Sequence, residues 1–148
     1  MNKLLIRFYR TSSKFNLKLT SELEEIIIGL MLGDLHAEKL TPNSNTRLQF
    51  KQSIKNKNYI DHLYSLYKIY CNSEPTVNTS LDKRAGKRDL NVSIKIWTSS
   101  IPCFNKFREL FYESSGKKHV PLELEKLITP RSLAYWAMDD GYKTNKGF

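Results

Sequence analysis

One helical segment occurs twice in this chain. Ile27-Ile28-Gly29-Leu30-Met31-Leu32-Gly33-Asp34 has a near-copy in Leu133-Ala134-Tyr135-Trp136-Ala137-Met138-Asp139-Asp140-Gly141. Each is a run of apolar and small residues that ends on a carboxylate. The C-terminal end of a helix carries partial negative charge, so an aspartate there is disfavoured unless a cation sits beside it. Two such ends brought together make a strongly negative pocket, and a divalent metal with oxygen ligands is the usual remedy. Asp34 and Asp140 are therefore the candidate metal ligands. Gly29 and Gly33, four apart, suit a close helix–helix approach. Ala134 and Ala137 are the small residues expected to meet them. Asp139 reads as a helix-end or surface acid.

The 148 residues suggest one domain, long enough to bury a core. Lys and Arg number 24 against 15 acids, a net charge of +9. That excess favours a polyanionic partner, nucleic acid or an anionic surface, although a merely soluble basic protein has the same balance. Cys71 and Cys103 are far apart and read as reduced thiols. His36, His62 and His119 have no zinc-ligand spacing. No run approaches the ~20 apolar residues of a membrane span, so no membrane partner is expected. Residues 1–20 contain no acid. They suit an organellar targeting segment, a basic arm on DNA or a frayed end.

The periodicities give an order of helix, strand, strand, helix, strand, strand, helix, then the copy of the first helix. Ser21 to about Gly33 is helical, with Thr20 or Ser21 as cap and Glu24 placed for a capping box. Asp34–Leu40 suits a short strand. Thr46–Ile54 alternates, with Leu48, Phe50 and Ile54 inward and Gln52 spoiling that face. Lys57–Cys71 has helical spacing. Thr76–Leu81 and Leu90–Trp97 read as strands, the latter with Leu90, Val92, Ile94 and Ile96 inward. Asp82–Arg88 is a basic turn. Pro102 opens a helix, Leu122–Ile128 is a short helical turn, and Thr129-Pro130 caps the last helix.

Strands of this kind form an antiparallel sheet with one face on helices and one wet. The wet face carries Arg47, Gln49, Lys51, Ser53, Asn91, Ser93 and Lys95, joined by Lys83, Arg84, Lys87 and Arg88 from the basic turn. These side chains have the donors and acceptors for base edges and phosphates. An ordinary solvated sheet face has the same alternation.

Taken together, these residues resemble the LAGLIDADG homing endonucleases encoded by organellar introns. The motif falls on residues 27–35 and again on 133–141, where Met138-Asp139-Asp140-Gly141 is a typical second copy. Leu48-Gln49-Phe50, Tyr59-Ile60-Asp61-His62, Lys117-Lys118 and Leu127-Ile128-Thr129-Pro130 extend the likeness over most of residues 22–144. The resemblance implies an α+β fold of αββαββα units with an antiparallel saddle-shaped sheet. Here that means a leader over 1–20, a first unit over 21–128, and a second motif helix with the start of an incomplete second unit over 129–148. It implies site-specific cleavage of double-stranded DNA in intron homing, with Mg²⁺ held by Asp34 and Asp140. Lys118, with Lys117 next, implies the accompanying basic residue, and Gln49 a polar neighbour that orders water. The alternatives are an RNA maturase acting on its own intron RNA, or a non-catalytic DNA-binding relic. A mitochondrial setting is expected, a chloroplast being the other possibility. The first motif ends in Leu35 instead of glycine. The second unit is almost absent after Asp140, so the expectation is a fragment, a truncated frame, or a half that works with a missing C-terminal half or a second chain.

Overall fold

The computed structural model describes residues 13–82 and 89–140. Its elements are α1 (Ser21–Leu32), β1 (His36–Lys39), β2 (Thr46–Ser53), α2 (Lys57–Tyr67), β3 (Thr76–Leu81), β4 (Leu90–Trp97), α3 (Asn105–Phe111), α4 (Leu124–Leu127) and α5 (Pro130–Asp140). The four strands form one antiparallel sheet in the order β1-β2-β4-β3, so the expected α+β class and element order hold. Residues 83–88, with Lys83, Arg84, Lys87 and Arg88, lie outside the described residues, as do 1–12 and 141–148.

The core lies between the helices and one face of the sheet. Ile26, Ile27, Leu30 and Met31 of α1 meet Leu48 and Phe50 of β2, Ile94 and Ile96 of β4, Ile60, Leu63 and Tyr67 of α2, and Phe107 and Phe111 of α3. Burial of this set is the main term holding the unit together. Phe50 and Tyr67 pack with ring centroids 5.0 Å apart, and Tyr67 donates its hydroxyl to the Leu23 carbonyl at 2.9 Å. Residues at the end of the leader also join the core. Leu17 and Leu19 pack against it, and Tyr70 donates to the Lys18 carbonyl at 2.7 Å.

Several inward assignments differ from expectation. Ile54 is exposed, because β2 ends at Ser53 and the chain turns into a short 3-10 helix. Leu90 is 65% exposed and Val92 half-buried, because the β3–β4 end of the sheet extends past the covering helices. All of β3 is exposed for the same reason. Gln52 is buried, and its amide is satisfied in place: it donates to Asp139 and accepts from Asn56. Thr20 caps α1 through its hydroxyl to the Leu23 N–H at 3.2 Å, while Glu24 pairs with Lys106 instead of closing a capping box.

Candidate metal centre and strand face

The two motif helices pack against each other, and their charged partners show that they run the same way. Arg131, at the start of α5, pairs with Glu25 (3.0 Å) and Glu22 (3.5 Å) in the first turns of α1. Thr129 also donates to Glu25 at 3.0 Å. Further along, Gly29 faces Ser132 and Gly33 faces Asp139. A Cβ on Gly29 would stand 2.1 Å from the Ser132 carbonyl oxygen, and one on Gly33 would stand 2.3 Å from Asp139 Oδ2. Both glycines are needed for the approach of α5. Their partners are not the small residues expected from the repeat. Ala134 and Ala137 are exposed, and the buried Ser132 and half-buried Asp139 occupy the seam. Ser132 is fixed there by a reciprocal cap with Thr129, in which each backbone N–H finds the other's hydroxyl.

Parallel packing brings both C-terminal ends to one place. Asp34, Asp139 and Asp140 each offer a carboxylate oxygen within 4.8 Å of the others. Asp34 and Asp140 are exposed, and Asp139 sits behind them. Asp139 is thus no surface acid. Its Oδ2 accepts from the Asp34 backbone N–H at 2.5 Å, and its Oδ1 accepts from Gln52 Nε2 at 2.6 Å. Burial pushes its carboxyl up to about 6, and the charges of Asp34 and Asp140 add to that rise. The Asp34 N–H and Lys118 act in the opposite sense. Asp140 also accepts from the Trp136 indole N–H at 3.2 Å.

Lys118 supplies the cation that two helix C-termini and three acids require. Its backbone forms an isolated antiparallel bridge with Tyr112, and its ammonium donates to the carbonyls of Gly33 (2.7 Å) and Leu35 (2.9 Å). Burial lowers its pKa, and Asp139, Asp34 and Asp140 each pull it back up. Lys117 is exposed.

From this centre a polar cleft runs onto the sheet, lined by Asp34, Asp139, Gln49, Lys51, Gln52, Ser53, Asn56, Asn91 and Ser93. The register places Lys51 opposite Lys95, Ser53 opposite Ser93 and Gln49 opposite Trp97. The expected wet-face residues of β2 and β4 therefore share one surface. Asn78 and Ser80, opposite Ser93 and Asn91, extend it and were not singled out in the sequence. Their strand alternates in sequence, with Val77, Thr79 and Leu81 on the other face, but both faces are exposed. Arg47 is half-buried and paired with Glu38, its cross-strand partner on β1.

The donor set suits a small hard cation. It consists of carboxylate oxygens, with no thiolate or imidazole in the cluster, and their mutual repulsion is relieved by a divalent charge. Among the described residues, no helix is long and apolar enough to cross a membrane.

Comparison with known proteins agrees with this geometry. The model of the LAGLIDADG DNA endonuclease family matches residues 24–147. Cytochrome b mRNA maturase bI2 of Saccharomyces cerevisiae is 38% identical over 162 residues, covering 99% of this chain and 37% of that protein. Probable intron-encoded endonuclease 1 of Wickerhamomyces canadensis is 37% identical over 123 residues, covering 81% of this chain and 50% of that protein. Among solved structures, the homing endonuclease I-WcaI bound to its DNA recognition sequence superposes with a TM-score of 0.77 at 33% identity. That match covers 94% of this chain and 58% of the other. The chain spans half or less of the length of these two curated relatives.

Proposed function

The chain belongs to the LAGLIDADG DNA endonuclease family, and on that premise we propose that it is the metal-binding and DNA-reading half of a site-specific double-strand DNA endonuclease of the intron-homing type. The observation that carries this reading is the convergence of Asp34, Asp139 and Asp140 from the ends of two helices, beside Lys118 and at the head of a polar strand face. Asp34 and Asp140, the exposed pair, would hold the metal, for which we propose Mg²⁺. Such a metal supplies positive charge to the phosphoryl oxygens and lowers the pKa of a neighbouring water. Asp139 holds the end of α1 in place through the Asp34 N–H, which fixes where the Asp34 side chain starts. Lys118 contributes positive charge for the developing phosphorane. Gln49, half-buried in the same cleft, orients water or phosphate by hydrogen bonding. Arg47, Lys51, Ser53, Asn91, Ser93 and Lys95 meet the duplex, with Lys83, Arg84, Lys87 and Arg88 as its further basic contacts.

Cutting both strands calls for a second reading surface, supplied by a C-terminal unit or a second chain. The outer face of α5 is its seat, where Leu133, Trp136 and Met138 are 45%, 38% and 49% exposed. We place the protein in the mitochondrion, supported by relatives whose names refer to cytochrome b mRNA and to intron encoding. The test is cleavage of the intronless insertion site by the assembled two-unit form with Mg²⁺. Asp34→Asn and Asp140→Asn should each abolish it, and cleavage retained by either variant sinks the assignment.

One observation favours a second reading. The Saccharomyces cerevisiae relative covering 99% of this chain is named as an mRNA maturase. Under that reading the same basic face binds intron RNA. Unimpaired splicing by Asp34→Asn, with no DNA cleavage by the wild type, would support it over the endonuclease.

A further inference from the structure

We infer that Arg47 is a pre-set guanine reader, held in a fixed pose by Glu38 and Trp97, and that the three form one specificity-determining unit. This rests on the DNA-binding reading above. Arg47 Nε and Nη2 both reach Glu38 Oε2, at 2.7 and 2.5 Å. That contact occupies the side edge of the guanidinium. The end edge, formed by Nη1 and the second hydrogen on Nη2, takes no part in it. The register sets the pair: Glu38 lies directly across from Arg47 on β1. Trp97, directly across from Gln49, is the diagonal neighbour on β4, and its ring lies 4.0 Å from the Arg47 guanidinium carbon. The cation–π contact at this distance holds the guanidinium over the Trp97 ring, while the carboxylate fixes the direction of its side edge.

The chemistry selects a base over a phosphate. A carboxylate beside the guanidinium cancels its charge, so the pair has little to gain from counterion release and would repel a phosphate brought close to Glu38. A flat fork of two N–H donors at fixed spacing instead matches the O6 and N7 acceptors of guanine in the major groove.

The test is selection from a randomised duplex library at low salt, using the assembled two-unit form and its variants Arg47→Lys and Glu38→Gln. The wild type is expected to enrich a site with guanine fixed at one position. Arg47→Lys keeps the charge but lacks the fork, and should lose that preference by roughly tenfold while the other positions stay the same. Glu38→Gln should relax the same position and at the same time strengthen non-specific binding, because a negative charge has left the DNA face. A purely structural role predicts neither the single-position effect nor the gain in non-specific affinity. If the wild type enriches a site and both variants enrich it unchanged, the inference is overturned while the proposed function stands. If the wild type shows no salt-dependent binding to DNA, both fall.

Discussion

The backbone N–H of Asp34 donates to the carboxylate of Asp139 at 2.5 Å, joining the ends of the two motif helices. One acid of the adjacent pair at the end of α5 is therefore a clasp between the helices. The other, Asp140, is left to face outward with Asp34. The gap that admits the clasp exists because Gly33 has no side chain.

The clasp has a pH signature. Asp139 titrates at about 6 in the folded chain against an ordinary 3.8. A raised carboxyl pKa means that the folded state holds the proton more tightly than the unfolded one. The proton-linked stability comes from burial and the neighbouring acids, against the pull of the clasp itself; it is full below about pH 4 and is lost as the pH rises through 6. Asp139→Asn keeps an acceptor for the Asp34 N–H and removes the titration. In metal-free buffer the variant should melt above the wild type at about pH 7.5, by roughly 2–4 °C for ~1 kcal/mol, and the two should converge near pH 4. A constant gap across that range would count against this account.

Metal should act in the opposite direction. Ligation requires deprotonated carboxylates, so Mg²⁺ should raise the melting temperature at about pH 7.5 and have little effect near pH 4. Asp34→Asn and Asp140→Asn should each remove the metal-dependent shift. In the assembled enzyme each should also lower the cleavage rate at least ~100-fold, the scale for losing one electrostatic partner of a transition state. Isothermal titration with Mg²⁺ checks the first effect independently of any cleavage assay.

Gly29→Ala probes the seam. The new methyl would meet the Ser132 carbonyl, which belongs to the backbone and cannot swing aside. The helices must separate, with an expected loss of roughly 1–3 kcal/mol in urea unfolding. Arg131→Ala, which removes two partly exposed ion pairs at the other end of the same seam, should cost about 1 kcal/mol or less. Equal losses in the two variants would show that the close approach is not what holds α5.

Lys118→Met tests the cation. It leaves the carbonyls of Gly33 and Leu35 without their donor and three acids without a neighbour of opposite charge. DNA affinity should change little, while cleavage should fall by ~100-fold or more. A parallel loss of binding would place Lys118 on the reading face instead of at the reacting phosphate.

Much of this arrangement was legible from periodicity. β2 and α2 show one side to the core and one to water along most of their length, so their faces follow from spacing. Lys118, by contrast, is reached only through the family resemblance. A lone lysine in a loop gives no sign that it folds back onto a helix end 83–85 residues away. Asp139 lies at a helix end, as expected, but its inward direction is not legible in the sequence: adjacent helical residues differ by about 100° in direction, and only the partner helix decides which of them faces inward. Gln52 looked like a flaw in an apolar face, since its partners Asp139 and Asn56 come from elsewhere in the chain. Ala134 and Ala137 were chosen as small residues, but the seam on α5 runs through Ser132 and Asp139.

Lys118 grips main-chain carbonyls, and the residue that contributes one of them, Leu35, turns its side chain into the core. Its position is thus set by the path of the backbone at the end of α1. Under the function proposed above, residues on the strands can change to suit a new target while that ammonium stays where it is. Hydrolysis and recognition would in this sense be separable inheritances, and a lineage could retarget one without rebuilding the other.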